Sequence, residues 1–317
     1  MEPTALAIVG KHSGRAPTVE NQVDDGVLHV HGDTEVGGVI LQRADQFETG
    51  AITDRRVIRV ARWLERATYA CADAVTVLSD DMRANVAGKV PSRRGDVRVI
   101  PNFVDTDAIR PLSRDTALRS ELGIGDEPVV MYAGNVGFSQ SLELVVAAAR
   151  AIPGATFVIN GDGVALGSLR AQAEGVPNVR FSGYQPRDRL AEVLATGDIH
   201  LVPLRAGLGS VSVPSKTYSV LAAGRPVLAA IDPGTEVPRI LAASGAGVSV
   251  PPDDGERFVD ALRALLASPS ERATMGAAGR AWVERAASPA AVAEAYAALV
   301  RELLARRGRP PVRDPNR

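Results

Sequence analysis

From Pro128 onward, short unbroken apolar runs alternate with longer stretches whose apolar residues recur every three or four positions. The first pattern fits strands buried on both faces; the second fits helices that bury one stripe. It predicts strands at Val129–Ala133, Thr156–Ile159, Val179–Phe181, Ile199–Val202, Val227–Ala230 and Gly247–Val250. Helices are predicted at Leu142–Ala151, Leu166–Glu174, Pro186–Ala195 and Pro238–Ala243, with another opening at Pro214-Ser215 and ending at Gly224. Such alternation reads as a doubly wound parallel sheet. Upstream, Val57–Cys71 reads as an amphipathic helix, Ala74–Leu78 as a strand, Asp80–Ala87 as a helix and Val97–Ile100 as a strand. Three closing helices take residues 254–267, 270–286 and 288–305. The class is α/β, with a first domain over 1–105, an interdomain linker through Pro101-Asn102 and Thr106–Asp115, and a second domain over 112–305. The tail, 306–317, is rich in arginine and proline, lacks apolar residues to bury, and reads as disordered.

Composition narrows the classes of function. The 317 residues suffice for two domains with sizeable cores. A net charge of −1 and a pI of about 6.5 give no global field toward nucleic acid or an anionic membrane. A single cysteine, Cys71, excludes an internal disulfide and fits a reducing cytoplasm. The sequence shows no signal peptide and no apolar run of 18 residues, so membrane association is predicted to be peripheral, at the inner face. The four histidines, His12, His29, His31 and His200, have no metal-ligand spacing, and neither a metal nor a cofactor is implied. The cluster His29-Val30-His31-Gly32-Asp33 reads as solvated loop.

In a wound sheet, ligands bind outside the carboxyl ends of the strands. Gly134-Asn135, Gly161-Asp162-Gly163, Gly183-Tyr184, Pro203-Leu204-Arg205 and Asp232–Glu236 all fall there. The densest stretch is Val213–Leu241. Pro214 and Ser215 suit a helix opening, whose free N–H groups and positive dipole end attract an anion, and Lys216 adds a full charge. The chain carries 36 lysines plus arginines, yet lysine occurs only at Lys11, Lys89 and Lys216. A compact ammonium kept at that point fits a diphosphate cradle. Gly224-Arg225-Pro226 reads as an exposed helix-to-strand turn. Gly161-Asp162-Gly163 follows a second strand with the wrong spacing for a dinucleotide fingerprint and reads as a structural turn.

Several segments, taken in order, are similar to the carboxyl-terminal half of the family 4 glycosyltransferases, and particularly their bacterial surface-polysaccharide branch. They are Ala61–Glu65 (ARWLE), Ala72–Ser79 (ADAVTVLS), Val99–Asp105 (VIPNFVD), Tyr132–Gly137 (YAGNVG), the Lys216 segment and Met275–Arg280 (MGAAGR). The resemblance implies a GT-B fold of two Rossmann-like domains, the first acceptor-side and the second binding a nucleotide-sugar donor. The final helix would cross back onto the first domain. About 105 residues precede the linker, fewer than a full first domain takes, and Met1–Asp45 does not align, so the first domain is read as truncated or incomplete.

The implied activity is metal-independent, retaining transfer from a UDP-linked sugar to a lipid-linked or saccharide acceptor in surface-polysaccharide synthesis. Lys216 and Glu236 take the catalytic roles. Gly134, Asn135, Gly137 and Gln140 hold the diphosphate, with Gln140 standing where many relatives place a cation and Arg205 sharing the charge. Gly183 grips the base, while Tyr184 either stacks on it or is an exposed loop tyrosine. Ser215 and Ser219 complete the donor site. Ser219 and Val211 occupy positions where relatives often carry glutamates, leaving Glu236 as the nearest carboxylate for the ribose. The alternatives are a non-catalytic nucleotide-sugar binder, an inactive truncated transferase, and a sugar-nucleotide epimerase whose acid–base carboxylates are not found.

Overall fold

The computed structural model describes residues 5–10, 21–24, 27–30, 36–40, 55–90 and 96–306. The chain divides into two compact units, Met1–Pro101 with Ala293–Arg317, and Asn102–Val292. The first unit contains β1 (Ala5–Gly10), a hairpin of β2 (Asn21–Asp24) and β3 (Val27–Val30), and β4 (Val36–Ile40). Helix α1 (Arg55–Cys71), β5 (Ala74–Val77), α2 (Asp80–Lys89) and β6 (Val97–Val99) follow. Its sheet order is β4-β1-β5-β6; β5 and β6 are parallel, while β1 runs antiparallel to both neighbours. Ser79 caps α2 by accepting the Met82 N–H at 3.2 Å.

The second unit is a parallel sheet of β7 (Val129–Ala133), β8 (Thr156–Asn160), β9 (Val179–Ser182), β10 (Ile199–Pro203), β11 (Val227–Ala230) and β12 (Gly247–Val250). Its order, β12-β11-β10-β7-β8-β9, winds outward in both directions from the β7/β10 pair. Every side chain of β8, β10 and β11 is buried, as their unbroken apolar runs predict, while the edge strands β9 and β12 are only partly covered. The layers outside the sheet are α3 (Ala117–Glu121), α4 (Glu143–Ala151), α5 (Leu166–Gln172), α6 (Leu190–Thr196), α7 (Lys216–Ala222), α8 (Glu236–Ser244), α9 (Gly255–Ala267) and α10 (Pro269–Ala286). Helix α11 (Pro289–Arg306) closes the chain, and within the first unit its Glu302 and Arg306 pair with Arg98 and Asp96 at 2.7 and 3.0 Å.

Sequence pattern missed α3, a five-residue helix too short to show a period; Thr116 caps it, and its Leu118 N–H bonds Glu192 at 2.7 Å. The stretch predicted as a helix from Pro186 opens instead as a 3₁₀ turn over Arg187–Arg189. Helix α7 ends as predicted at Gly224, whose φ of 67° suits a residue without Cβ. Its position is fixed by the MGAAGR segment. A Cβ on Gly276 would lie 2.1 Å from the Gly224 carbonyl oxygen, so only glycine lets α10 approach this closely. Arg280 then donates to the carbonyls of Ala222, Ile109 and Thr106 at 2.7–2.9 Å, tying α7 to the stretch that enters the unit.

Arg225 corrects the expectation of an exposed turn. Its guanidinium donates to the carbonyls of Ala195 at 2.7 Å and Leu112 at 3.0 Å, and burial lowers its pKa. It fastens three segments at the entrance to β11: its own turn, the end of α6 at Ala195 and the stretch at Leu112. The reading of 306–317 as a disordered tail lies, from residue 307 on, outside the described residues.

His200, in the middle of the sheet, is fully buried, with Nε2 bonded to the Leu194 carbonyl at 2.8 Å. Burial, above all, pushes its pKa down to about 4. The folded state thus resists a proton that the unfolded chain accepts near 6.5, so stability falls as pH drops from the unfolded value toward the folded one. At about 1.4 kcal/mol per unit the loss approaches ~3 kcal/mol. Chemical denaturation at about pH 7 and about pH 4.5 should show this decline, and His200→Gln should flatten it.

Candidate functional site

The site grows from the parting of β7 and β10. They pair only at Ile199↔Val130 and His200↔Met131, whereas β7 and β8 stay paired through Ala133↔Asn160. Beyond that ladder the two strands lead into loops that turn opposite ways, the arrangement that opens a crevice at a topological switch point. Lys216, the first residue of α7, reaches into it. Its ammonium donates to the Tyr132 hydroxyl at 2.8 Å and sits 4.0 Å from the ring centroid, a cation–π contact. The hydroxyl in turn donates to the Asn135 carbonyl at 2.5 Å. Tyr132 is fully buried, and burial, followed by the neighbouring Tyr184, raises its pKa, so the phenol stays neutral. A Cβ on Gly134 would come within 3.2 Å of the lysine nitrogen. Lysine, tyrosine and glycine form one contact group.

The loop after β7 is laced to its neighbours. The N–H groups of Gly134 and Val136 bond the carbonyls of Asn160 and Asp162 at 2.9 and 2.8 Å, and Ala165 returns a bond to Val136. A Cβ on Gly161 would lie 1.9 Å from the Gly134 carbonyl oxygen, so Gly161-Asp162-Gly163 is the close-packed turn predicted, serving as a floor. Gln140 Oε1 accepts the Gly137 N–H at 3.1 Å, and exposed Asn135 lies against the same glycine. Arg205 joins from the β10 side: its backbone N–H bonds the Ser139 carbonyl at 2.9 Å and its Nε the Phe138 carbonyl at 2.6 Å. Gly183 accepts from Asn160 at 2.9 Å, and exposed Tyr184 stands by Asp162, whose carboxylate, after partial burial, raises the phenol's pKa.

Three predicted residues are engaged differently from expectation. Ser215 has helical torsions (φ −60°, ψ −29°) and its side chain makes no cap bond. The N–H groups of Thr217 and Tyr218 already bond the carbonyls of Pro214 and Ser215, so the opening turn of α7 closes on itself. Ser219, half-buried, lies one turn further along that face. Arg205 pairs with Glu143 at 2.9 Å, leaving its cation offset. Glu236 opens α8 and pairs with Arg239 at 2.9 Å, while Thr235 beside it abuts Gly209.

Sequence reasoning underrated the residues that hold these loops. Asp232 accepts N–H bonds from Gly207 at 2.9 Å and Gly209 at 2.9 Å, and Asp253 accepts from the Ser141 hydroxyl at 2.5 Å and the Ala206 N–H at 3.3 Å. Both stand just past the ends of strands, β11 and β12; the sequence pattern placed Asp232 there and passed over Asp253. Asp253 has a φ of 59°, which few non-glycine residues adopt. His31, Gly32 and Asp33 lie outside the described residues. Among the described residues no cluster of three or more His, Cys, Asp or Glu could hold a metal ion.

Comparison with known proteins bears on the family and the fold. Residues 127–268 match the family described as glycosyl transferases group 1, and residues 27–108 match glycosyltransferase family 4. The chain belongs to the family 4 glycosyltransferases. Its relatives include the probable glycosyltransferase WbjE of Pseudomonas aeruginosa, 30% identical over 79% of this chain and 63% of that protein. Another is the putative colanic acid biosynthesis glycosyl transferase WcaI of Escherichia coli, 28% identical over 77% and 60%. This family 4 chain thus spans about three fifths of the length of these relatives. In fold it resembles sucrose-phosphate synthase from Thermosynechococcus elongatus, with a TM-score of 0.68 at 23% identity over 81% of this chain and 65% of that one. It also resembles Anabaena Alr3699/HepE, solved with UDP and glucose, with a TM-score of 0.66 at 16% identity over 77% and 68%.

Because the Tyr132 hydroxyl links Lys216 to the Asn135 carbonyl, Tyr132→Phe removes both hydrogen bonds while leaving the ring beneath the ammonium. Thermal or urea unfolding should show a loss of about 1–3 kcal/mol. An unchanged stability would mean that the hydroxyl does not tie the loop to α7.

Proposed function

We propose that this chain transfers a sugar from a nucleotide-sugar donor, UDP-linked, to a lipid-linked or saccharide acceptor in surface-polysaccharide synthesis at the cytoplasmic face of the membrane. The carrying observation is the Lys216 ammonium held by Tyr132 against Gly134 at the switch point of the sheet. Breaking the bond between the sugar and the diphosphate leaves negative charge on the diphosphate, and a preorganised cation there stabilises the transition state more than the ground state. Lys216 supplies that cation without a metal. The loop from Gly134 to Gln140 brings backbone N–H groups to the same anion, with Gly137 passing from Gln140 to a phosphate oxygen and Asn135 beside it. Arg205 lends charge from the β10 side once Glu143 releases it. Ser215 and Ser219 line the face of α7 next to the lysine. Gly183 and Tyr184 receive the base at the end of β9, and Glu236 offers its carboxylate to the ribose. The domain reading gives donor binding to 112–305 and the acceptor to the 1–105 side, with retention of anomeric configuration following the family.

Titration calorimetry with UDP tests this. Binding should persist in EDTA, and Lys216→Ala should weaken it by about tenfold or more, since a charge-assisted contact is worth about 1.5–3 kcal/mol. Binding abolished by EDTA, or unchanged in Lys216→Ala, would move the donor site elsewhere.

A further inference from the structure

Helix α1 presents to solvent what a surface helix normally buries. Val60, Trp63 and Leu64 are 57%, 66% and 52% exposed, and their i, i+3, i+4 spacing puts them on one face. Alongside runs a second stripe, Arg59, Arg62 and Arg66, also spaced by three and four. These arginines, with Ile58 and Trp63, line a surface cavity. The first turn of the helix contains no acidic residue. The carboxylate of α1, Glu65, is bonded to Lys89 at 2.7 Å and to the Tyr69 hydroxyl at 3.0 Å, so its charge is matched away from the arginine stripe. Tyr69, 3% exposed, marks the opposite, anchored face. Among the described residues no helix is long and apolar enough to cross a membrane.

An apolar stripe with an aromatic centre, bordered by cations that bind phosphate in a fork, has the composition of a helix that lies in a membrane interface. We propose that α1 docks this chain onto an anionic lipid surface. Val60, Trp63 and Leu64 enter the boundary between headgroups and acyl chains, while Arg59, Arg62 and Arg66 take lipid phosphates. Charge decides the occupant. A second copy meeting this face two-fold would set arginines against arginines, with the carboxylate of the helix, Glu65, already bonded to Lys89, whereas phosphatidylglycerol-like headgroups match the whole stripe. The whole chain has a net charge of −1, so attraction is local to this helix. The proposal deepens the lipid-linked acceptor reading, but its test uses lipid alone, so the two fail separately.

The full chain is sedimented with vesicles of phosphatidylcholine, alone or with about one third phosphatidylglycerol. It should bind the anionic vesicles, more weakly as salt rises, and leave the neutral ones in solution. The triple variant Arg59→Gln, Arg62→Gln, Arg66→Gln should lose affinity on the order of 100-fold, at about one charge contact per arginine. Trp63→Ser with Leu64→Ser should also lose binding. In a Trp282→Phe background, Trp63 fluorescence should shift to the blue on binding and be quenched by brominated lipid, a readout that needs no α1 variant. Equal binding to both vesicle types, undiminished binding by the triple variant, or unquenched Trp63 overturns the proposal. So does self-association that the Trp63 and Leu64 substitutions remove in the absence of lipid.

Discussion

The structure depends on where the sheet of the second unit changes direction. Successive right-handed crossovers from β7 carry the chain one way to β9, and the crossover to β10 must return it to the other side of β7. Two loops leaving adjacent strands on opposite faces cannot pack on each other, so a crevice opens between them whatever the loop sequences. The chain fills that opening with a charge. Lys216 enters from α7, and a buried tyrosine from β7 meets it with both its hydroxyl and its ring. An ammonium so held has lost much of its rotational freedom before any anion arrives, which lowers the cost of ordering it on binding.

Everything close to that pair is arranged to keep it in place. Gly134 yields the space the lysine occupies, and Gly161 lets the β8 loop lie flat against the β7 loop. Gly276 and Arg280 hold the far end of α7. Asp232 and Asp253 pin the β10 loop by its N–H groups. Gln140 and Glu143 occupy Gly137 and Arg205. These pairings satisfy polar groups that would otherwise be exposed at the crevice mouth.

Most of the second unit was legible because its strands are continuous apolar runs whose burial is nearly complete; β7, β11 and β12 begin and end where the runs do. Helix α3 and the 3₁₀ turn at Arg187 were not, since a single turn carries no period. The antiparallel placement of β1 was equally hidden, because alternation within one strand says nothing about its partner's direction. Within the site, composition singled out Lys216 and its place at the opening of α7. The Tyr132 contact could not be read: it joins residues 84 positions apart, and a strand tyrosine looks like core until its hydroxyl's partner is known. Arg225 failed for a related reason. A Gly-Arg-Pro turn suggests solvent, and only packing reveals that two carbonyls from distant segments close over the guanidinium.

The scarcity of lysine makes the central claim directly measurable. Reductive methylation with carbon-13 labels the ε-amines of Lys11, Lys89 and Lys216, and Lys216→Arg assigns the third signal. Titration with UDP should move the Lys216 resonance in a saturable manner and leave those of Lys11 and Lys89 in place. A shift confined to Lys11 or Lys89, or saturable binding that leaves the Lys216 signal unmoved, would contradict the account of the switch-point lysine as the diphosphate's counter-charge.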